Sequence, residues 1–126
     1  MHKLIIPCCN NGYIEILKFV LEHIKSLNNI KEYMIHTVYG RNENINEQRI
    51  EVLRELMKYL SVNRKDCLNE AMINVGWFDE TQIVKFLINN GANIDYKNQN
   101  GLGLLEFSER AERQFRDNSL KEFLNK

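Results

Sequence analysis

Four amphipathic runs recur along the chain, and this recurrence limits the fold more than any other feature of the sequence. An aromatic residue marks each run, at intervals of 40, 27 and 37 residues. These aromatics are Phe19, Tyr59, Phe86 and Phe123. A shorter apolar run precedes each of them, marked by Ile5, Ile35, Leu68 and Leu105. Two apolar runs in every unit of roughly 33 residues predict a repeating pair of helices.

The spacing of apolar residues predicts an all-α chain. In "YIEILKFVLEHIKSL" apolar residues recur three and four positions apart, and no segment alternates between apolar and polar residues as a strand does. A helix pair of this size cannot bury its apolar face alone, so the units must stack into a solenoid. We expect core-filling residues on the second helices, Phe19, Tyr59, Phe86 and Leu87. We expect close approach of the first helices at Cys8, Cys9, Ala71 and Met72.

Two local expectations follow from the same pattern. Asp66 precedes the run "CLNEAM" and is a candidate N-cap, since its carboxylate can accept from the free amides of a first helical turn. The first unit begins inside its first helix without a polar capping element, so Leu4, Ile5 and Ile6 are expected to be partly exposed.

Composition disfavours several classes of function. Lysine plus arginine and aspartate plus glutamate number 17 each, so no overall field attracts the chain to nucleic acid or to a membrane surface. No segment reaches the ~18 apolar residues of a membrane span, and the N-terminal apolar run, broken by Pro7, is too short for a secretory signal. Three cysteines form no even disulfide framework. We expect a cytoplasmic protein.

No group of residues predicts catalysis, a cofactor or a metal site. The segment "GLGLLE" lacks the third glycine of a phosphate-binding loop and follows a turn rather than a strand. A calcium loop starting at Asp95 would place Lys97 at its third ligand position. The adjacent Cys8 and Cys9 are poorly placed to ligate one ion. An enzyme would need a pocket that holds Cys67 or His36 with a perturbed pKa.

Two stretches resemble the ankyrin repeat family. "CCNNGYIEILKFVLE" is similar to the family's A-A-x-x-G-H-x-E-I-V-K-x-L-L, with Gly12 at the turn between the helices. "TQIVKFLINNGANIDYKNQNGLGLLEF" is similar to the join between two repeats, where Gly91 ends a helix and "YKNQNG" turns the chain into the next unit. The other units are degenerate, and an insertion, "GRNENINEQ", separates the helices of the second.

The resemblance implies an ankyrin-like α-solenoid of about four repeats in one domain, with short or degenerate β-hairpin fingers. The expected units are residues 1–29, 30–63, 64–96 and 97–126. Asparagine, isoleucine and lysine supply 40 of the 126 residues, and their A/T-rich codons suggest an A/T-rich genome, such as that of a large DNA virus. A viral protein of this kind would act in the host cytoplasm.

The resemblance also implies a non-catalytic protein–protein interaction module without a cofactor. The candidate partner-binding residues lie on the first helices of the units, on the finger tips and in the loop that follows the apolar run around Leu68. They are Asn10, Asn11, Trp77, Tyr96, Lys97, Gln99, Asn100, Leu102 and Arg110. Trp77 is either a cap on the core or an exposed anchor. Self-association through the first repeat is a further expectation. The alternatives are a vestigial or structural protein without a dedicated partner and a fragment of a larger repeat array.

Overall fold

Seven α-helices follow one another in the computed structural model, which describes residues 2–23, 30–39, 43–60, 63–76, 80–115 and 123–124; the side chains of residues 2, 43 and 111–115 are not described. The helices are α1 (Ile5–Asn11), α2 (Ile14–Glu22), α3 (Ile30–Val38), α4 (Asn46–Met57), α5 (Arg64–Gly76), α6 (Thr81–Asn89) and α7 (Leu104–Phe115). Short 3₁₀ turns cover His2–Leu4 and Glu43–Ile45. Within the described ranges the only β pairing is one antiparallel bridge between Lys97 and Gly103.

The helices stack in two rows, as the repeat pattern predicts. α1, α3, α5 and α7 contact one another in sequence and form the inner row. α2, α4 and α6 form the outer row, and each of them also packs on the inner helix that precedes it. This arrangement is an all-α, ankyrin-like solenoid, in which the core runs as one layer between the rows. The predicted limits of the four units stay a prediction.

The core contains the residues expected at close approaches of the inner helices. Cys8, Cys9, Ala71 and Met72 are all buried, and so is Leu87 on α6. Small or unbranched side chains at these positions let neighbouring helices approach closely. The turn between α1 and α2 depends on Gly12, whose φ is 70°. A Cβ atom at Gly12 would lie 2.6 Å from Cβ of Gln48 on α4, so only glycine fits between the first two units.

The prediction of recurring aromatics in the core is wrong for two of them. Phe19 is 56% exposed and Tyr59 is 40% exposed, whereas Phe86 is half-buried. α2 buries its other side, through Leu17, Val20 and Leu21. Tyr59 lies in the turn beyond the end of α4. On α2 and α6, the recurring aromatic is therefore covered only where a helix of a neighbouring unit packs over it, as Arg54 of α4 does over Phe86.

Two further expectations need correction. Ile5 is fully buried because it packs into the core, while Leu4 is exposed and Ile6 is half-buried as predicted. Asp66 is not an N-cap, since α5 begins two residues earlier at Arg64. Its carboxylate lies in the first turn, where it is favoured by the helix dipole, and it accepts a 2.9 Å bond from Nζ of Lys31 on α3.

Candidate protein-interaction surface

The chain leaves α6 through a left-handed turn. Gly91 has a φ of 116°, a value that favours glycine, and the amide of Ala92 donates back to the carbonyl of Leu87 at 3.0 Å. Asn93 then fixes the exit path. Its amide donates to Oδ1 of Asn69 on α5 at 2.7 Å, and its own Oδ1 accepts from the amide of Asp95 at 3.0 Å.

Residues 96–103 form a short hairpin, which we call the finger. Its two ends pair through the bridge between Lys97 and Gly103. Asn98 organises the turn. Its side-chain Oδ1 accepts from the backbone amides of Asn100 at 2.9 Å and Leu102 at 3.1 Å. Its backbone amide donates to the carbonyl of Leu102 at 2.9 Å. An asparagine side chain that substitutes for backbone partners in this way stabilises a tight turn.

The base of the finger is joined to α7. The amide of Gly103 donates to Oε2 of Glu106 at 3.3 Å, as in one half of a capping box. Oε1 of the same carboxylate pairs with Nζ of Lys97 at 3.2 Å. Hydrogen bonds from backbone amides, first its own, and from Lys97 lower the pKa of the Glu106 carboxyl. A Cβ atom at Gly103 would lie 2.6 Å from the carbonyl oxygen of Tyr96, which excludes a larger residue there.

Tyr96 joins the finger to α5. Its hydroxyl donates to Oε1 of Glu70 at 2.5 Å. This bond, which is lost when the phenol ionises, raises the pKa of Tyr96 to about 12 together with burial and the charge of Glu70. The finger is therefore tied to the helices on both sides of it, to α5 through Tyr96 and to α7 through Glu106.

The structure brings together five of the residues that the sequence nominates for binding. Gln99 and Asn100 are exposed at the tip of the finger, Lys97 is exposed beside Glu106, and Tyr96 and Leu102 are half-buried at its base. Their side chains therefore divide into two groups. Those at the tip face solvent, whereas Tyr96 at the base holds the hairpin in place through its bond to Glu70.

The remaining nominated residues lie elsewhere. Arg110 is exposed on α7, with its guanidinium 5.9 Å from the centroid of the Phe107 ring. Asn11, at the end of α1, is exposed and donates from Nδ2 to the carbonyl of Pro7 at 2.9 Å. Asn10 is half-buried, and its buried Oδ1 has no hydrogen-bond partner among the residues that the structure describes. Trp77 lies outside the described residues.

An open depression of about 200 Å³ lies beside the finger. Ile94 and Asp95 line it on one side, and Leu104, Leu105 and Leu124 on the other. Ile94 is 40% exposed and Leu105 is 48% exposed, so the apolar surface is open to solvent. This open depression, which includes leucine and isoleucine side chains, lies next to the polar, exposed tip of the finger.

Sequence reasoning missed the residues that fix this surface. Glu70 and Glu106 bond to the finger and Asn98 organises its turn, but none of the three is among the binding residues predicted from the sequence. For two of these residues the sequence does contain a signal, a different one for each. The spacing Gly103-x-x-Glu106 is that of a capping box, and Asn98 two residues before Asn100 fits an Asx turn. Nothing in the sequence pairs Glu70 with Tyr96, because that contact depends on how α5 meets the finger.

The cysteines have no features of a reactive site. All three are buried and free, and burial raises the pKa of the Cys8 and Cys67 thiols and that of Cys9 to about 11. A raised pKa keeps the thiol protonated and poorly nucleophilic at neutral pH. Among the described residues, no group of three or more His, Cys, Asp or Glu side chains could hold a metal ion. In that part of the chain, no helix is long and apolar enough to cross a membrane.

The comparisons with known proteins agree with this geometry. Residues 67–99 match the family model described as ankyrin repeat, a stretch that covers most of α5, all of α6 and the finger as far as Gln99. Comparison with curated proteins and with solved structures gives no match. The chain therefore carries an ankyrin repeat at residues 67–99 within an all-α, ankyrin-like solenoid.

Proposed function

We propose that the chain is a non-catalytic protein–protein interaction module, which binds a protein partner through the finger and the neighbouring inner helices. The observation that carries this proposal is the contrast within the finger. Hydrogen bonds of Asn98, Tyr96 and Glu106 fix its backbone, while the side chains of Gln99 and Asn100 stay exposed at its tip. Ankyrin repeats generally bind proteins, which supports the same function.

A fixed finger favours binding for an energetic reason. Association costs free energy for every loop and side chain that must be ordered at the interface. Because the finger is already ordered by bonds to α5 and α7, a partner meets a surface that needs little further ordering. The polar tip can then contribute specificity, and the depression between Ile94 and Leu105 can bury an apolar side chain of the partner.

The nominated residues take different parts in this proposal. Lys97, Gln99, Asn100 and Arg110 are exposed and are proposed to contact the partner. Tyr96 and Leu102 are proposed to act mainly by holding the finger in position. Asn10 and Asn11 belong to the first unit and are proposed to extend the contact along the inner row. Trp77 stays a prediction from the sequence alone.

Affinity enrichment with matched variants tests the proposal. The chain and a double variant, Gln99→Ala with Asn100→Ala, are used to enrich proteins from a lysate of the source cell or its host, followed by quantitative mass spectrometry. Gln82→Ala serves as the control, because Gln82 is exposed on α6, in the outer row. We expect specific proteins that the chain and the control enrich and the double variant does not. Equal enrichment by all three proteins would contradict binding through the finger.

The alternative is a vestigial or structural repeat protein without a dedicated partner, or a fragment of a larger array. If the chain has no dedicated partner, the unmodified chain should enrich no protein above background. Self-association through the first repeat is a competing proposal for the exposed end that contains Leu4, and light scattering at several concentrations tests it. We also propose that the protein acts in the cytoplasm, or in the host cytoplasm if the gene is viral. Its three free cysteines are compatible with this location.

A further inference from the structure

α2 and α6 are equivalent helices with very different surroundings. Each has nine residues, and their N-caps share one backbone conformation, with φ and ψ of −81° and 78° at Tyr13 and −89° and 78° at Glu80. Aligning the two N-caps pairs Ile16 with Ile83 and Phe19 with Phe86. The second helix of the first unit can therefore be compared with the second helix of the third, residue by residue.

Burial agrees between the two helices on one side and differs on another. Leu17 and Val84, which face the inner row, are both fully buried. Ile83 is also fully buried, but its equivalent Ile16 is 51% exposed. Glu80 is 3% exposed, and its equivalent Tyr13 is 52% exposed. We call Tyr13, Ile16 and Phe19 the open stripe; their spacing of three residues places them along one side of α2.

α4 provides the cover on α6 that α2 lacks. Nδ2 of Asn46 donates to Oε2 of Glu80 at 2.8 Å, at the start of the two helices. Further along, the guanidinium of Arg54 lies 5.4 Å from the centroid of the Phe86 ring. An outer helix of this fold is thus covered by another amphipathic helix, which places an arginine over the recurring aromatic.

The exposed surface continues from α2 towards the inner row. The pairing of Ile5 with Leu68 makes Leu4 equivalent to Cys67. Leu4 is 51% exposed, whereas Cys67 is 4% exposed on α5, the helix that packs against α3. The same side of the unit is therefore covered in the third unit and uncovered in the first, along α2 and at the start of α1.

Acidic residues border the open stripe. Glu15 and Glu22 are exposed and lie four and three residues from Phe19, so they are its neighbours on the helix surface. Neither carboxylate forms an ion pair within the described part of the chain. An antiparallel two-fold pairing of two α2 helices would place both acidic edges on the same side of the dimer, which like-charge repulsion disfavours.

We propose that the open stripe is the docking site for an amphipathic helix of a partner protein, with basic residues along one edge and an arginine over Phe19. The docked helix takes the place relative to α2 that α4 takes relative to α6. Ile16 is then buried as Ile83 is, and the basic edge faces Glu15 and Glu22. This site lies on the outer row and is independent of the finger, so it does not rest on the function proposed above.

A peptide based on α4 tests the proposal. The probe is a fluorescently labelled 18-residue peptide with the sequence of residues 43–60 in which Glu51 and Glu55 are replaced by lysine, and its binding to the full chain is followed by fluorescence anisotropy. We expect saturable binding that Ile16→Lys in the chain weakens about tenfold or more, as for a central contact of an interface. Gln82→Lys, which adds the same charge on α6, should leave the affinity unchanged.

Two variants of the peptide test the chemistry of the site. Arg54→Gln in the peptide should weaken binding, because the arginine over Phe19 is lost. The peptide with its natural Glu51 and Glu55 should bind less tightly, by a margin that shrinks as salt concentration rises. Far-UV circular dichroism and urea unfolding of Ile16→Lys check the fold, which we expect to be intact because Ile16 is half exposed.

Three results would overturn the proposal. The first is the absence of saturable binding. The second is equal binding by the chain and by Ile16→Lys, since a peptide that displaced the chain's own α4 from α6 would not depend on Ile16. The third is a dimer in light scattering that Ile16→Lys dissociates, because a second copy would then be the occupant of the open stripe.

Discussion

The hydroxyl of Tyr96 donates a 2.5 Å hydrogen bond to Oε1 of Glu70, 26 residues earlier in the chain. This bond joins the finger to α5 and fixes where the tip residues stand relative to the inner row. Together with the contacts of Glu106, it makes the finger an ordered part of the solenoid rather than a loose loop.

Replacing Tyr96 by phenylalanine removes this bond and keeps the ring. We expect the free energy of unfolding to fall by about 1 kcal/mol, the usual net value of such a bond. Amides of the finger should also exchange hydrogen faster. Urea unfolding and hydrogen exchange measure the two effects, with Tyr13→Phe as the control, since Tyr13 is exposed. An unchanged exchange rate in the finger would show that Tyr96 does not hold it.

Alanine substitutions at two glycines with similar φ distinguish the energetic cost of a positive φ from the cost of a steric clash. Gly12 has a φ of 70° and Gly101 a φ of 75°. A Cβ atom at Gly12 lies 2.6 Å from Cβ of Gln48, whereas one at Gly101 meets nothing within 4 Å. We expect Gly101→Ala to cost roughly 1 kcal/mol, for the left-handed conformation alone, and Gly12→Ala clearly more. Equal losses in urea unfolding would contradict the tight contact between α4 and the α1–α2 turn.

The buried carboxylate of Glu80 supports the junction of the second and third units. Its Oε2 accepts from Asn46, and both residues are more than nine-tenths buried, as is Arg49. Burial lowers the pKa of Arg49, and the charge of Glu80 opposes that shift. Because losing this acceptor leaves Nδ2 of Asn46 buried without its partner, which costs about 1–3 kcal/mol, we expect Glu80→Ala to be among the most destabilising single changes. Glu47→Ala, at an exposed position of α4, should change the free energy of unfolding by less than about 0.5 kcal/mol.

We expect the stability of the folded chain to depend on pH through the carboxyl group of Glu106. Its pKa in the folded chain lies below the ordinary value of 4.5, so the folded state binds a proton less readily than the unfolded state. The resulting stabilisation is fully present above about pH 4.5 and is lost as the pH falls through the lower folded pKa. As the pH falls through this range, the free energy of unfolding should decrease more for the unmodified chain than for the Glu106→Gln variant. Parallel losses for the two proteins in acid unfolding would show that Glu106 contributes nothing.

The sequence predicts the repeat architecture well because its signals are local. Apolar spacing places the helices, and Gly12 and Gly91 mark turns where a positive φ is needed. The finger follows from its turn residues, and its exposed tip at Gln99 and Asn100 follows from its position in the repeat. These features depend on residues within a few positions of one another.

Contacts between units could not be predicted in the same way. The pairs Asn46–Glu80 and Lys31–Asp66 join residues 34 and 35 positions apart, and each depends on how one helix pair lies on the next. Phe19 illustrates the same limit. Its periodicity places it on a helix but does not show whether a neighbouring helix covers that side, as Arg54 of α4 covers Phe86.

Site-specific photo-crosslinking tests most directly whether the finger binds a protein. A photoreactive phenylalanine analogue replaces Gln99 in one variant and Gln82 in another, and each is expressed in the source cell or its host and irradiated. We expect discrete crosslinked protein species from position 99 that position 82 does not give. The absence of crosslinked species at position 99, or the same species at both positions, would contradict it.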